Sequence, residues 1–400
     1  MSKGKAGNNS FLKKYNQTRI LDLIRVYKAV SRAELSRITG LSATAVGVIV
    51  SSLLEKGYIH ETGEGESKGG RRPVLLELKP GSYYSIGVDM DTNYINVVLI
   101  DTTGKVVYED SVGLHSDFSF EDVVERIERL VRKAAEKSCI AAGKLLGIGV
   151  SVPGMIDSLT QRVVFAPNLG WENVEIKPRL EDIFGVPVYV ENEAMASAIC
   201  ENWIGSCQGV DNFVCINIRS GIGAGIFTGG KLYRGESGSA GEIGHIVVDE
   251  NGPRCGCGNY GCLETMASTA RIVDKAKKLV RQGVVSRLNE FENVDDITIE
   301  SIVEAARSGD EAARAILNES ARYLGIAVSN IVNTLNPSKI VIGKEFVKYA
   351  DLVIDQIKSV VGCKALKTPA SKVEIVASDI GEKASTLGAA IIPLKVLFGR

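Results

Sequence analysis

The 400-residue chain is 45% hydrophobic and 24% charged, with a formal net charge of −1 and eight cysteines. This is the composition of a soluble globular protein of two or three domains, long enough to bury a sizeable core. No apolar run approaches the roughly 20 residues that span a bilayer, and the polar, basic start from Met1 to Asn16 has no apolar centre of the kind a signal peptide carries, so a cytoplasmic protein without membrane association is expected.

The near-neutral total hides an asymmetry. Residues 1–80 hold 14 Lys and Arg against 7 Asp and Glu, a local charge of +7, while the remaining 320 residues hold 33 against 41, a charge of −8. A basic segment joined to an acidic body points to a polyanionic partner for the segment.

In chain order, Ile20, Leu23, Ile24 and Tyr27 recur at helical spacing. Ser31-Arg-Ala-Glu34 has the pattern of a capping box and predicts a short helix to about Thr39. Gly40 supplies a turn, and Ser42 can cap a third helix to about Lys56 with Val46, Val50, Leu53 and Leu54 as its apolar stripe. Residues 58–62 and 74–78 read as strands on either side of a Gly-rich, charged segment. Three helices and a β-ribbon make a winged helix-turn-helix. Its candidate DNA contacts are Arg32, Arg37, Ser42, Thr44 and Ser51, with Lys68, Arg71 and Arg72 in the wing. The third helix offers few hydrogen-bond donors for base edges, so methyl contacts, the wing or DNA shape must carry much of the reading.

From residue 84 the pattern changes to strands at 85–90, 94–100 and 105–111, a helix at about 119–142, strands at 145–151 and 186–190, and a helix at about 193–204. The βββαβαβα order predicts an α/β fold with a mixed sheet flanked by helices. The second half again mixes strands and helices, with strands at 213–218 and 223–228, a long helical region at about 309–335, a strand at 338–342 and a closing helix at 384–398. The domain division expected is 1–80, 81–200 and 201–400, with the C-terminal helix from about 384 able to return to the first lobe.

His245, Cys255, Cys257 and Cys262 form the strongest local signal. One imidazole and three thiolates make a tetrahedral zinc set, and four protein ligands leave no open position, so the zinc expected is structural. Cys139, Cys200, Cys207, Cys215 and Cys363 are scattered among apolar residues and read as buried small hydrophobes. Glu191-Asn192-Glu193, Glu242, His245 and Glu264 can accept from and donate to neighbouring sugar hydroxyls, although spacing alone fits solvated surface carboxylates as well. Arg219-Ser-Gly-Ile-Gly-Ala-Gly225 fits equally a phosphate-binding turn or a tight hairpin.

The segments Glu242-Ile-Gly-His245, Cys255-Gly-Cys257-Gly-x-x-Gly-Cys262-Leu-Glu264 and Leu335-Asn-Pro337 resemble the ROK family of sugar-dependent repressors and kinases over nearly the whole chain. The winged head resembles its repressor branch. The resemblance implies a two-lobed actin/hexokinase-like (ribonuclease H-like) body with a sugar cleft, Asn192, Glu242, His245 and Glu264 as sugar ligands, and Gly154 and Asn168 lining the cleft. It implies a homodimer or dimer of dimers on double-stranded operator DNA, released by a carbohydrate. Tyr233 to Glu242 and the wing resemble the xylose-responsive members, with glucose and N-acetylglucosamine as the other effectors to weigh. Against the kinase pattern, Asp89-Met-Asp-Thr-Asn93 lacks the phosphate-cradling glycines, Gly343-Lys344-Glu345 lacks the second glycine of the adenosine turn, and Glu193 replaces the catalytic Asp. The expectation is a repressor with Glu193 as a sugar contact and no catalytic residue. An active sugar kinase with a DNA-binding head and a repressor governed by a sugar-transport protein are the alternatives.

Overall fold

The computed structural model describes residues 9–64, 72–114, 118–141 and 143–399. The chain opens with α1 (Asn9–Tyr27), a two-residue strand β1 (Val30–Ser31), α2 (Arg32–Thr39), α3 (Ala43–Glu55) and the ribbon β2 (Ile59–Glu64) and β3 (Val74–Leu78). The capping box forms as the residues dictate. Ser31 Oγ accepts from the Glu34 amide at 3.2 Å, and the Ser31 amide donates to Glu34 Oε2 at 2.9 Å. Gly40 ends α2 in the left-handed region, Ser42 Oγ caps α3 by accepting from the Ala45 amide, and the two helices bend by 120°. Ile20 and Ile24 of α1, Leu35 of α2, Val46, Val50 and Leu53 of α3 and Leu76 of β3 are buried as one small core. β1 pairs antiparallel with β3, Val30 opposite Leu76, and completes a three-stranded sheet.

The body follows with β4 (Tyr84–Met90), β5 (Tyr94–Asp101), β6 (Val106–Gly113), α4 (Phe120–Lys137) and β7 (Leu145–Val152). Then come three short strands, β8 (Met155–Ile156), β9 (Val163–Ala166) and β10 (Trp171–Val174), α5 (Ile176–Phe184), β11 (Val188–Asn192) and α6 (Glu193–Trp203). The second half holds β12 (Phe213–Ile218), β13 (Ile222–Thr228), β14 (Lys231–Tyr233), α7 (Leu263–Ala267), α8 (Thr269–Arg281), α9 (Ile299–Arg307) and α10 (Glu311–Leu335). It ends with β15 (Lys339–Lys344), α11 (Ala350–Lys364), α12 (Lys367–Lys372), β16 (Glu374–Ala377) and α13 (Ala384–Leu397).

Two compact units divide the chain: Met1–Val150, Glu175–Val190 and Ala389–Arg400 in the first, Ser151–Val174 and Glu191–Gly388 in the second. The first unit contains the helical head and most of a five-stranded sheet of order β11-β7-β4-β5-β6. Val123, Ile127, Leu130 and Val131 form the buried face of α4, which packs on β5 and β6. Within this unit the end of α13 is tied in twice. Ser85 Oγ donates to the Ala390 carbonyl at 2.6 Å, and the Arg25 guanidinium of α1 lies 5.9 Å from the centroid of the buried Phe398 ring.

The second unit is built on a sheet of order β14-β13-β12-β15-β16. β12 and β15 run parallel, with Ile216 opposite Ile342, and β12 and β13 form the antiparallel hairpin. Their apolar face joins Leu317, Leu324, Val328 and Val332 of α10 and Val353 and Ile357 of α11 in one core. A smaller sheet of order β10-β9-β8 belongs to the same unit. Among the described residues no single helix is long and apolar enough to cross a membrane.

Two expectations need correction. The helix expected to 142 stops at Lys137, where the Ser138 amide folds back onto the Ala134 and Glu136 carbonyls. Cys139 and Cys363 are exposed, whereas Cys200, Cys207 and Cys215 are buried as expected. Burial pushes the Cys207 thiol up to about 12, so it stays protonated and packs as a small hydrophobe.

Ser31→Ala removes the hydroxyl half of the capping box, the acceptor for the Glu34 amide, and keeps the backbone half. The head should lose about 1 kcal/mol of stability, read as a lower denaturant midpoint for its unfolding, and Ser31→Thr should retain most of it.

Candidate functional site

The site is assembled in the second unit from three backbone features. The first is the end of β11. Asn192 caps α6: its Oδ1 accepts from the Ala194 and Met195 amides at 2.8 and 3.2 Å, and its Nδ2 donates to the Gly154 carbonyl at 2.9 Å. The preceding Glu191 is 5% exposed and is gripped by Arg234, Nη1 to Oε1 at 2.9 Å and Nη2 to Oε2 at 2.5 Å. This fork is the strong, bidentate form of an ion pair. Glu191 Oε1 also accepts from the Asn192 amide at 3.1 Å, so Arg234 fixes the corner from which Asn192 projects. Arg234 was not among the expected site residues, since a lone arginine in a glycine-rich stretch carries no signal.

The second feature is the turn Ile243–His245, flanked by Glu242. It lies flat on β13 because Gly241 has no Cβ: one built there would sit 1.8 Å from the Ala224 carbonyl oxygen. Glu242, His245 and Glu264 interact. Burial raises the Glu242 carboxyl above its ordinary range, with His245 opposing and the Glu264 charge adding to the rise.

The third is the Arg219–Gly225 segment, which is the tight hairpin joining β12 and β13. Its glycines serve packing. A Cβ on Gly225 would meet Ala198 Cβ at 2.4 Å and the Ala194 carbonyl at 2.5 Å, so the hairpin lies directly on α6. The Ile222 amide donates to Glu264 Oε2 at 3.1 Å.

The cysteine loop closes this assembly. The ligand atoms of His245, Cys255, Cys257 and Cys262 all lie within 4.8 Å of one another. His245 Nδ1 is 3.6 Å from Cys255 Sγ, and Cys257 Sγ is 3.6 Å from Cys262 Sγ. Sulfur atoms bound to one tetrahedral ion at about 2.3 Å stand roughly this far apart, so the four donors fit a metal ion. His245 turns Nδ1 to the thiols, leaving Nε2 as the nitrogen for another partner. The Asn259 amide lowers the exposed Cys257 thiol to about 7, and burial raises Cys262 to about 12. Tyr323 of α10 anchors the loop through Asp249 at 2.9 Å.

The remaining expected residues are less tightly grouped. Glu193 opens α6, with Lys344 Nζ 3.7 Å from its Oε2. Asn168 is exposed on the turn Pro167–Leu169 that follows β9. In the head, Arg37, Ser42, Thr44, Ser51 and Arg72 are exposed. Arg32 pairs with Glu61 at 2.7 Å. Lys68 and Arg71 lie outside the described residues. Val48, 59% exposed on α3 beside Thr44 and Ser51, is a large apolar group at the centre of the face expected to read DNA.

The ROK family model matches residues 85–396. A xylose repressor of Caldicellulosiruptor bescii is 35% identical over 382 residues, 96% of each chain. A solved ROK family transcriptional regulator, homologous to the MLC protein of E. coli, superposes with a TM-score of 0.85 at 30% identity, covering 97% of both chains. A ROK family glucokinase from Streptomyces griseus, in complex with glucose and AMPPNP, superposes with a TM-score of 0.69 at 32% identity, covering 98% of its own chain and 77% of this one. The glucokinase thus accounts for a length like that of the family match, while the regulator extends over nearly the whole chain. The body has the actin/hexokinase-like α/β architecture, and the chain belongs to the ROK family.

Proposed function

We propose that the protein is a sugar-responsive transcriptional repressor whose head binds operator DNA and whose body binds the releasing carbohydrate, xylose. The observation that carries this reading is the coexistence of two sites in one chain: a helix-turn-helix with an exposed reading face, and a cluster of hydroxyl-binding groups. Asn192 keeps one N–H free after its three hydrogen bonds, and Glu242, Glu264 and His245 Nε2 supply acceptors and a donor of alternating kind. Asn168, Gly154 and Glu193 complete the proposed sugar set. The length-wide similarity to a xylose repressor supports the assignment of the effector.

The metal proposed for His245, Cys255, Cys257 and Cys262 is zinc, which with four protein ligands is structural. It would lock the loop so that Glu242 and Glu264, three and two residues from their nearest ligands, keep a fixed separation. Operator binding by a homodimer or dimer of dimers would place one α3 in each of two major grooves, with Arg37, Arg32, Lys68, Arg71 and Arg72 on phosphates or the minor groove. Sugar releases DNA only if it binds the DNA-free state more tightly than the DNA-bound one.

The protein is proposed not to transfer phosphate. Asp91, buried after β4, turns Oδ1 onto its own neighbour, accepting from the Thr92 amide at 2.6 Å and the Thr92 hydroxyl at 3.0 Å. A carboxylate there, with Asp89 buried beside it, repels phosphate.

A gel shift on DNA upstream of the protein's own gene and neighbouring sugar genes tests the reading. A specific shift abolished by xylose is expected. A shift indifferent to xylose, glucose and N-acetylglucosamine would move control to a protein partner, and turnover in a coupled ATPase assay with those sugars would establish the kinase instead. Purified protein should hold one zinc per chain by elemental analysis. Cys257→Ser or chelation should remove it and weaken sugar binding at least about tenfold while leaving the head folded.

A further inference from the structure

Lys344 ends β15 opposite Ile218 of β12, and its backbone takes φ +59° and ψ −137°, a region suited to glycine. Its side chain is 2% exposed. Both features are costly: the backbone is strained, and an ammonium is withdrawn from water. A glycine would avoid both costs, so a lysine here calls for a partner that needs it. Lys344 Nζ donates to Ser385 Oγ of α13 at 2.5 Å and stands 3.7 Å from Glu193 Oε2. Glu193 is the first residue of α6, directly after the Asn192 cap, where the helix N-terminus also favours a negative charge. Its side chain remains 21% exposed. The carboxylate therefore lies against a buried cation at one end of its reach while part of the side chain stays accessible.

We propose that Lys344 is a positioning residue for the sugar site: it fixes the Glu193 carboxylate as a permanent acceptor for one sugar hydroxyl. A carboxylate oriented by an ammonium and a helix end presents its lone pairs to the hydroxyl in one fixed direction. This rests on the sugar-binding reading above.

The test is calorimetric titration of the full chain with xylose, glucose and N-acetylglucosamine, and with monodeoxy forms of whichever sugar binds, for wild type, Glu193→Gln, Lys344→Met and the double variant, with melting temperature and zinc content measured alongside. Glu193→Gln and Lys344→Met should each raise Kd at least about tenfold, and the double variant should be no worse than the weaker single one. One deoxy sugar should bind wild type less well than its parent, and that penalty should vanish in both single variants. Lys344→Met that lowers the melting temperature while leaving Kd unchanged, or losses that add in the double variant, would overturn the proposal and leave sugar sensing intact. Should Lys344→Met not fold, Glu193→Gln decides alone: unchanged affinity overturns the proposal. Wild type that binds none of these sugars overturns both.

Discussion

The arrangement of the second unit depends on the side-chain amide of Asn192. Its oxygen holds the first turn of α6 by two backbone amides, and its nitrogen holds the Gly154 carbonyl. A cap of this kind contributes about 1 kcal/mol to a helix, yet here it also decides direction. With the oxygen fixed by two donors the amide cannot rotate, and its one spare N–H has a single orientation. Arg234 and Glu191 set the same corner from the other side. A binding group built on an element end and locked by its own backbone bonds needs no reorganisation when a ligand arrives, which is the form of preorganisation that favours affinity.

The cysteine loop solves a different problem. Glu242 and Glu264 are distant in sequence and sit on short elements, a single 3₁₀ turn and a five-residue helix. Neither is long enough to hold a carboxylate by helix packing alone. The antiparallel bridge between Val247 and Cys262, with the bond from the Leu263 amide to the Ile246 carbonyl at 2.8 Å, joins the two pieces. Cys262 immediately precedes α7, so a metal on its sulfur constrains the same helix that presents Glu264. Burial raises the Glu242 carboxyl, and the nearby Glu264 charge adds a smaller part of the rise, so the two acids are held close at a cost that the joined loop sustains.

Much of this was legible in the residues. The capping box at Ser31 and Glu34, the turn at Gly40 and the four-ligand spacing are local patterns, and local patterns fold locally. The strand β1 was not legible: two residues give no alternation, and its pairing depends on β3 more than 40 positions away. The short strands β8 to β10 and the five-residue helix α7 escaped because they are too brief to show a period. The role of the glycines between Arg219 and Gly225 could not be read at all. A glycine that permits a phosphate and one that permits a helix are the same letter, and only the Ala198 methyl 2.4 Å from the absent Cβ distinguishes them.

The two halves of the molecule recognise their partners by opposite means, and the chain's charge asymmetry follows from that. A sugar is neutral and is distinguished by hydroxyl geometry, so its candidate site uses fixed acids and an amide, and carries its own buried cation to balance them. Operator DNA is a polyanion, so the head carries its +7 in arginines and lysines that secure affinity without reading sequence. In the proposed operator complex what remains for reading is the face of α3, where Thr44, Val48 and Ser51 present methyl and hydroxyl groups. Such a face discriminates by fit to thymine methyls and groove shape more than by bidentate hydrogen bonds. Each base step read by such a face contributes little alone, so most of the affinity falls to the phosphate contacts that the basic residues of the head supply.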